Sequence, residues 1–214
     1  MAPIDDLLAR MDALLQPMRS AGDDRQHFLA TYMRTTLAVK AEIELGRFVD
    51  DTWTERWDIA FADLYLDALD AWNATETAPG PWQIAFEAAN ATPRVPPIRH
   101  LLLGMNAHIN YDLPQALIQV ITDQEFDDPA LVARRGRDHE HSAGSKRFLK
   151  EARGKVWRNA QALSLARRQG LVELSTRLQE LEQLSAARVA DLRKPGQVLL
   201  RLSRDGFGVL LHDA

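Results

Sequence analysis

The sequence predicts an all-α fold, a single-domain multi-helix bundle organised around a proline-kinked central helix. Two observations carry this. Apolar residues recur at spacings of three and four along most of the 214 residues, and no stretch shows sustained period-two alternation bounded by hairpin turns. A third, the regular interruption of these stripes by Gly, Pro and Asp cap signals, divides the chain into helices of ordinary length.

The first helix is expected over about residues 3–19, with Leu7, Leu8, Met11, Leu14 and Leu15 on one face, before a break at residues 20–24. Asp23 or Asp24 can cap the second, which carries Phe28, Tyr32, Thr35, Val39 and Ile43 and stops near Gly46. Thr52 and Glu55 form a capping-box pattern, so a third helix is placed from there to about Ala74, with Trp53, Trp57, Ala60, Phe61, Leu64, Ala68 and Trp72 as its core stripe. Pro79, Gly80 and Pro81 punctuate the chain before a short helix at about 81–90, and the proline-rich run 92–97 makes a stiff linker.

From Ile98 a helix should reach Tyr111, kink around residues 112–114, and resume to about Thr122, because Pro114 removes a donor and clashes one turn back. Asp128 and Pro129 mark another start. The polar stretch 136–144 is expected to bend the chain. Two amphipathic helices follow, at about 145–168 and 170–192, the latter with a stripe of Leu171, Leu174, Leu178, Leu181 and Leu184 that suits a homodimer as well as a core. The tail 197–211 reads as a broken helix.

Composition limits the function. A net charge of -4 and a sequence pI of about 5.9 leave no basic footprint for nucleic acid. With no cysteine, any metal must be held by His, Asp, Glu or Asn. The start of the chain lacks a basic region followed by an apolar core, and no apolar run approaches the roughly 20 residues of a membrane span, so a cytoplasmic protein with no membrane partner is expected. No Gly-rich phosphate loop, nucleophile elbow or H-E-x-x-H helix is present.

The stretch Arg99 to Pro114 sets ionisable and amide side chains inside an otherwise apolar helix. An unpaired buried polar group costs roughly 2–7 kcal/mol, so these groups should be paired, bound to a metal, or lining a polar cleft. His108 and Asp112 share one helix face, close enough to chelate one ion. The same spacing also suits a hydrogen-bonded core couple, or a metal-free acid–base pair. Gly104, one turn earlier, lets a helix, a backbone or a ligand approach closely. His100 lies two turns away, and Asn106 and Asn110 form a second pair on a neighbouring face that could equally cap the kink. Asp138 and His139 could complete a ligand set of three or four, although a solvated charged turn over 134–141 explains them as well. Asp58, between Trp57 and Phe61, either points into the same cleft or faces solvent. The five tryptophans read as core.

These residues carry a resemblance. Arg99 to Pro114, supported by Phe61 to Tyr65, Trp82 to Ala89, Arg137 to His139 and Arg153 to Ala160, resembles a bacterial domain-of-unknown-function family, number fifty-nine ninety-five, over most of the chain. It implies a helical fold and draws interest to His108, Asn110, Asp112 and His139 without implying a reaction. A partial likeness, His108 to Pro114, is to the all-helical zinc-dependent phospholipase C and single-strand nuclease group. Ala116 and Leu117 stand where that group has a histidine after the proline, and the N-terminal tryptophan ligand is missing. At most one or two metals carry over. The resulting expectation is a helical metal-dependent hydrolase in which His108, Asp112 and His139, with His100 and Asp138, hold a zinc, manganese or iron ion that activates water. The other expectation is a non-catalytic helical protein, structural or with a polar cleft around Asn106, His108, Asn110 and Asp58 that takes a small molecule.

Overall fold

The apolar stripe Ile4, Leu7, Leu8, Met11, Leu15 and Met18 winds along one face of α1 (Pro3–Ala21), and burying it requires a second helix folded back against it. Gly22 makes that reversal possible. It sits at φ 64°, and the bond from the Asp23 amide to the Met18 carbonyl closes a Schellman turn into α2 (Gln26–Glu44). Gly46 at φ 63° ends α2 by the same device.

A computed structural model describes residues 3–142, 179–184, 186 and 187. Among them the chain is all-α and continues through α3 (Asp51–Thr75), α4 (Gly80–Ala89), α5 (Pro97–Ala107), a π-helical turn (His108–Asp112), α6 (Leu113–Val120), α7 (Asp123–Asp127) and α8 (Pro129–Ser142). No helix among the described residues is long and apolar enough to cross a membrane.

Several boundaries differ from expectation for local reasons. The cap of α3 is Asp50, whose carboxylate accepts from the Trp53 amide, and Thr52 is an exposed residue of the first turn. Glu55 instead accepts from the Ile4 amide and ties α1 to α3. A capping box does occur at Thr122 and Glu125, where it starts α7. Gly136 lies inside α8, which runs on to Ser142 without the expected bend. The helix proposed at 145–168, the tail 197–211, Trp157 and Leu171, Leu174 and Leu178 of the stripe lie outside the described residues. Of that stripe Leu181 is buried and Leu184 exposed.

Two apolar cores result. The larger joins α1, α2, α4, α5 and much of α3 through Leu29, Leu66, Leu69 and Leu103. The smaller packs Trp53 and Trp57 of α3 against Leu117, Ile121 and Phe126 of α6 and α7. Ala107 belongs to the first core and Leu113 to the second, so the π turn between them is the junction of the two.

Candidate functional site

Pro114 has no N–H to give to the carbonyl one turn back, and its ring crowds that turn. The helix responds by widening at the place where the sequence puts the kink. The Leu113 amide reaches back to the His108 carbonyl, a five-residue step. Asn110 takes up the slack, its Nδ2 donating to the Asn106 carbonyl at 3.0 Å and to Asn106 Oδ1 at 2.9 Å. Single π turns are frequent at functional positions, and this one carries both His108 and Asp112.

His108 and Asp112 are buried and bond directly, Nδ1 to Oδ2 at 2.8 Å. The Trp82 indole N–H of α4 donates to the same Oδ2 at 2.9 Å. Oδ2 accepts the indole proton, and it accepts from His108 as well when the imidazole carries its own proton on Nδ1. The Nε2 lone pair is then left facing the interior, where it has no hydrogen-bond partner among the described residues.

Rings enclose it. Phe61 stacks on the imidazole at 3.5 Å between centroids and 6° between planes, at the end of a ladder of stacked rings running Trp53, Trp57, Phe61 along α3. Tyr32 meets it edge-on at 4.5 Å, with Phe28, Tyr65 and Trp82 behind. The hydroxyls of Tyr32 and Tyr65 and Asp58 Oδ2 are buried and likewise without partners among the described residues. Burial, with the nearby Asp58 and Asp112 carboxyls adding to it, pushes the Tyr32 hydroxyl well above its ordinary range.

Burial sets the charge there. It pushes His108 well below the ordinary imidazole range and Asp112 well above the carboxylate range, with the Trp82 N–H pulling Asp112 part of the way back. Burial alone raises Asp58 to about 7. The chamber therefore favours neutral groups near neutral pH.

Gly104 has a definite occupant over it. A Cβ at that position would fall 2.5 Å from Phe28 Cγ, so the glycine exists to let α2 and its Phe28 ring close on α5. A narrow cleft beside it is lined by Arg25, Phe28, Tyr65, Trp82, Phe86 and His100, and three of those rings also touch His108.

The structure brings together His108 and Asp112, and pairs Asn106 with Asn110. Asp58 is buried, which settles its direction. His100 lies at the mouth of the cleft, its Nε2 3.5 Å from Asp24 and its ring stacked on His27. Asp138 Oδ1 accepts from the Val49 amide at 2.6 Å and so anchors α8 to the α2–α3 connection. The side chain of His139 lies outside the described residues, as does His212. Among the described residues no three His, Asp or Glu side chains group so as to hold an ion. Sequence reasoning missed Trp82 and Tyr32 as members of the site. Trp82 reads from the sequence as a core tryptophan in a family-like segment, Tyr65 as part of another such segment, and Tyr32 as one more residue on an apolar stripe.

No curated protein and no solved structure matches the chain, so the likeness to the zinc-dependent phospholipase and nuclease group stays confined to the fragment His108 to Pro114. Residues 4–144, well over half of the 214, match a family of unknown function (DUF5995) and contain the whole chamber, and the chain belongs to that family.

Proposed function

We propose that this protein binds a small neutral molecule carrying a hydrogen-bond donor, held in the aromatic chamber with His108 Nε2 as its acceptor. The observation that carries it is the partnerless Nε2 of a buried imidazole whose other nitrogen is tied to Asp112. Buried polar groups in folded proteins are nearly always paired, and each unpaired one costs about 1–3 kcal/mol. A ligand donor on Nε2, with the Tyr32 and Tyr65 hydroxyls as further partners, recovers that cost. The surrounding rings suit a flat apolar body. A charged ligand would have to desolvate in a chamber whose own groups favour neutrality. The cleft between α2, α4 and α5 reaches Phe28, Tyr65 and Trp82, three of the rings packed around His108.

Titration of 15N-labelled protein with phenol, benzamide and benzoate tests this. Phenol and benzamide are expected to shift the His108 Nε2 resonance in a saturable way and to raise Tm, and benzoate to do neither. Failure of both neutral probes at millimolar concentration overturns the proposal.

One observation favours a second reading. A histidine that ligates a metal commonly rests its other N–H on a carboxylate. Under this reading Nε2 is the ligand atom and Asp112 its support, with His139 as a further candidate, and a zinc, manganese or iron ion would supply water activation for hydrolysis. Elemental analysis of protein purified without a nickel column decides it. Stoichiometric metal that is lost in His108→Ala supports this reading, and metal-free protein whose Tm zinc, manganese and iron salts leave unchanged removes it.

A further inference from the structure

We propose that Glu182 is a positioning residue for the His108–Asp112 pair, acting through α4 from beyond the stretch that matches the family. Its Oε1 accepts from the Gly80 amide at 2.6 Å. A Cβ on Gly80 would lie 3.0 Å from that oxygen and 3.2 Å from Glu182 Cγ, so the carboxylate lies directly against the first turn of the helix and a glycine is what admits it. The N-terminus of α4 has no side-chain cap of its own, since Pro79 precedes it. Glu182 supplies both the acceptor and the negative charge that such an end favours.

Two residues further on is Trp82. Its indole N–H holds Asp112 Oδ2, on which His108 Nδ1 rests. The orientation of the first turn of α4 thus passes to the imidazole through one ring and one carboxylate. Leu181, next to it in the chain, is buried at 1% exposure, so the segment is packed against the fold. Glu182 lies outside residues 4–144, so a part of the chain beyond the family match helps set the site.

That the pair is a binding site rests on the proposal above; the positioning does not, and its test needs no ligand. In full-length 15N-labelled protein, the readouts are hydrogen exchange of the Trp82 indole and the His108 Nδ1 and Nε2 shifts. Glu182→Ala is expected to speed indole exchange about tenfold and to move the two nitrogens towards the averaged values of a ring exchanging tautomers. Glu182→Gln, whose amide oxygen still accepts from Gly80, should restore most of both. Gln83→Ala removes a different bond in the same turn, that to the Ala78 amide, and should leave both within about twofold of the starting protein. Unchanged readouts in Glu182→Ala, or equal changes in Glu182→Ala and Gln83→Ala, overturn the proposal.

Discussion

Asp50 and Asp58 stand roughly two turns apart at the start of α3 and meet opposite surroundings. Asp50 accepts from Arg135 at 2.8 Å, the same guanidinium bonds Glu125 at 3.2 Å, and it lies 4.7 Å from the centre of the Trp53 ring. The Arg135 hydrogen bond holds the Asp50 carboxyl below its ordinary range. Glu125 is lowered too, its hydrogen bonds from Thr122 and Arg135 outweighing the opposing effect of burial. Asp58 has no such cation, and burial drives it up to about 7. The difference separates two uses of an acid. One region spends its charges on tying α3, α7 and α8 together and the other leaves an acid to burial alone, while each keeps a buried polar atom without a partner among the described residues, Arg135 Nε in the first and Asp58 Oδ2 in the second.

The largest expected effect comes from Asp58. Its unfolded pKa is near 3.8 and its folded pKa about 7. Between those values the folded state keeps a proton that the unfolded state releases, so stability is full below pH 3.8 and falls as pH rises towards 7. The loss is about 1.4 kcal/mol per pH unit, about 4 kcal/mol in all. Asp58→Asn should flatten this slope and make the protein more stable than the parent at pH 8, as read from urea unfolding across pH 4 to 8. Parallel profiles for the two proteins would place a cation beside Asp58 and erase the contrast with Asp50.

Gly104→Ala follows in size. The new methyl meets the Phe28 ring, which packs on His108, Tyr65 and Trp82, so the ring cannot simply swing aside. A loss of about 3 kcal/mol in urea unfolding is expected, together with a changed His108 15N spectrum. A loss below about 1 kcal/mol would mean that the chamber is loosely packed.

Arg135→Gln sharpens the other side. Removing this cation should cost about 2 kcal/mol at pH 7, because two partly buried carboxylates lose their nearest cation, Asp50 keeping only the longer pair with Arg134 at 3.6 Å. The pH dependence runs opposite to that of Asp58. Stability from Asp50 and Glu125 is present above their unfolded values of 3.8 and 4.5 and is lost as pH falls through their lower folded values, so the substitution should flatten the acid limb alone. Thermal unfolding between pH 2 and 5 checks it.

Much of this was legible in the residues. The 3–4 spacing of Leu7, Leu8, Met11 and Leu15 placed α1, and the His108–Asp112 spacing placed both side chains on one face. Where reading failed, the cause was competition between equivalent local signals. Thr52 and Asp50 both qualify as caps for α3, and the choice fell to Asp50, which Arg135, far along the chain, also holds. The Thr122–Glu125 box was as visible as that at Thr52 and was passed over inside a longer apolar stretch. Pro114 announced a disturbed helix, but its position alone does not say that the disturbance takes the form of a π turn.

The sequence by itself determined the helical class, the order of the helices and the pairing of His108 with Asp112, because periodicity, capping and an i,i+4 spacing act over one or two turns. Only the tertiary structure decided what those side chains face. Trp82 reaches Asp112 from another helix, Phe28 fills the space over Gly104, and Asp58 and Asp50 diverge according to whether Arg135 is near. Burial and partners, which set protonation and leave His108 Nε2 free, come from residues distant in the chain and carry no local sequence signature.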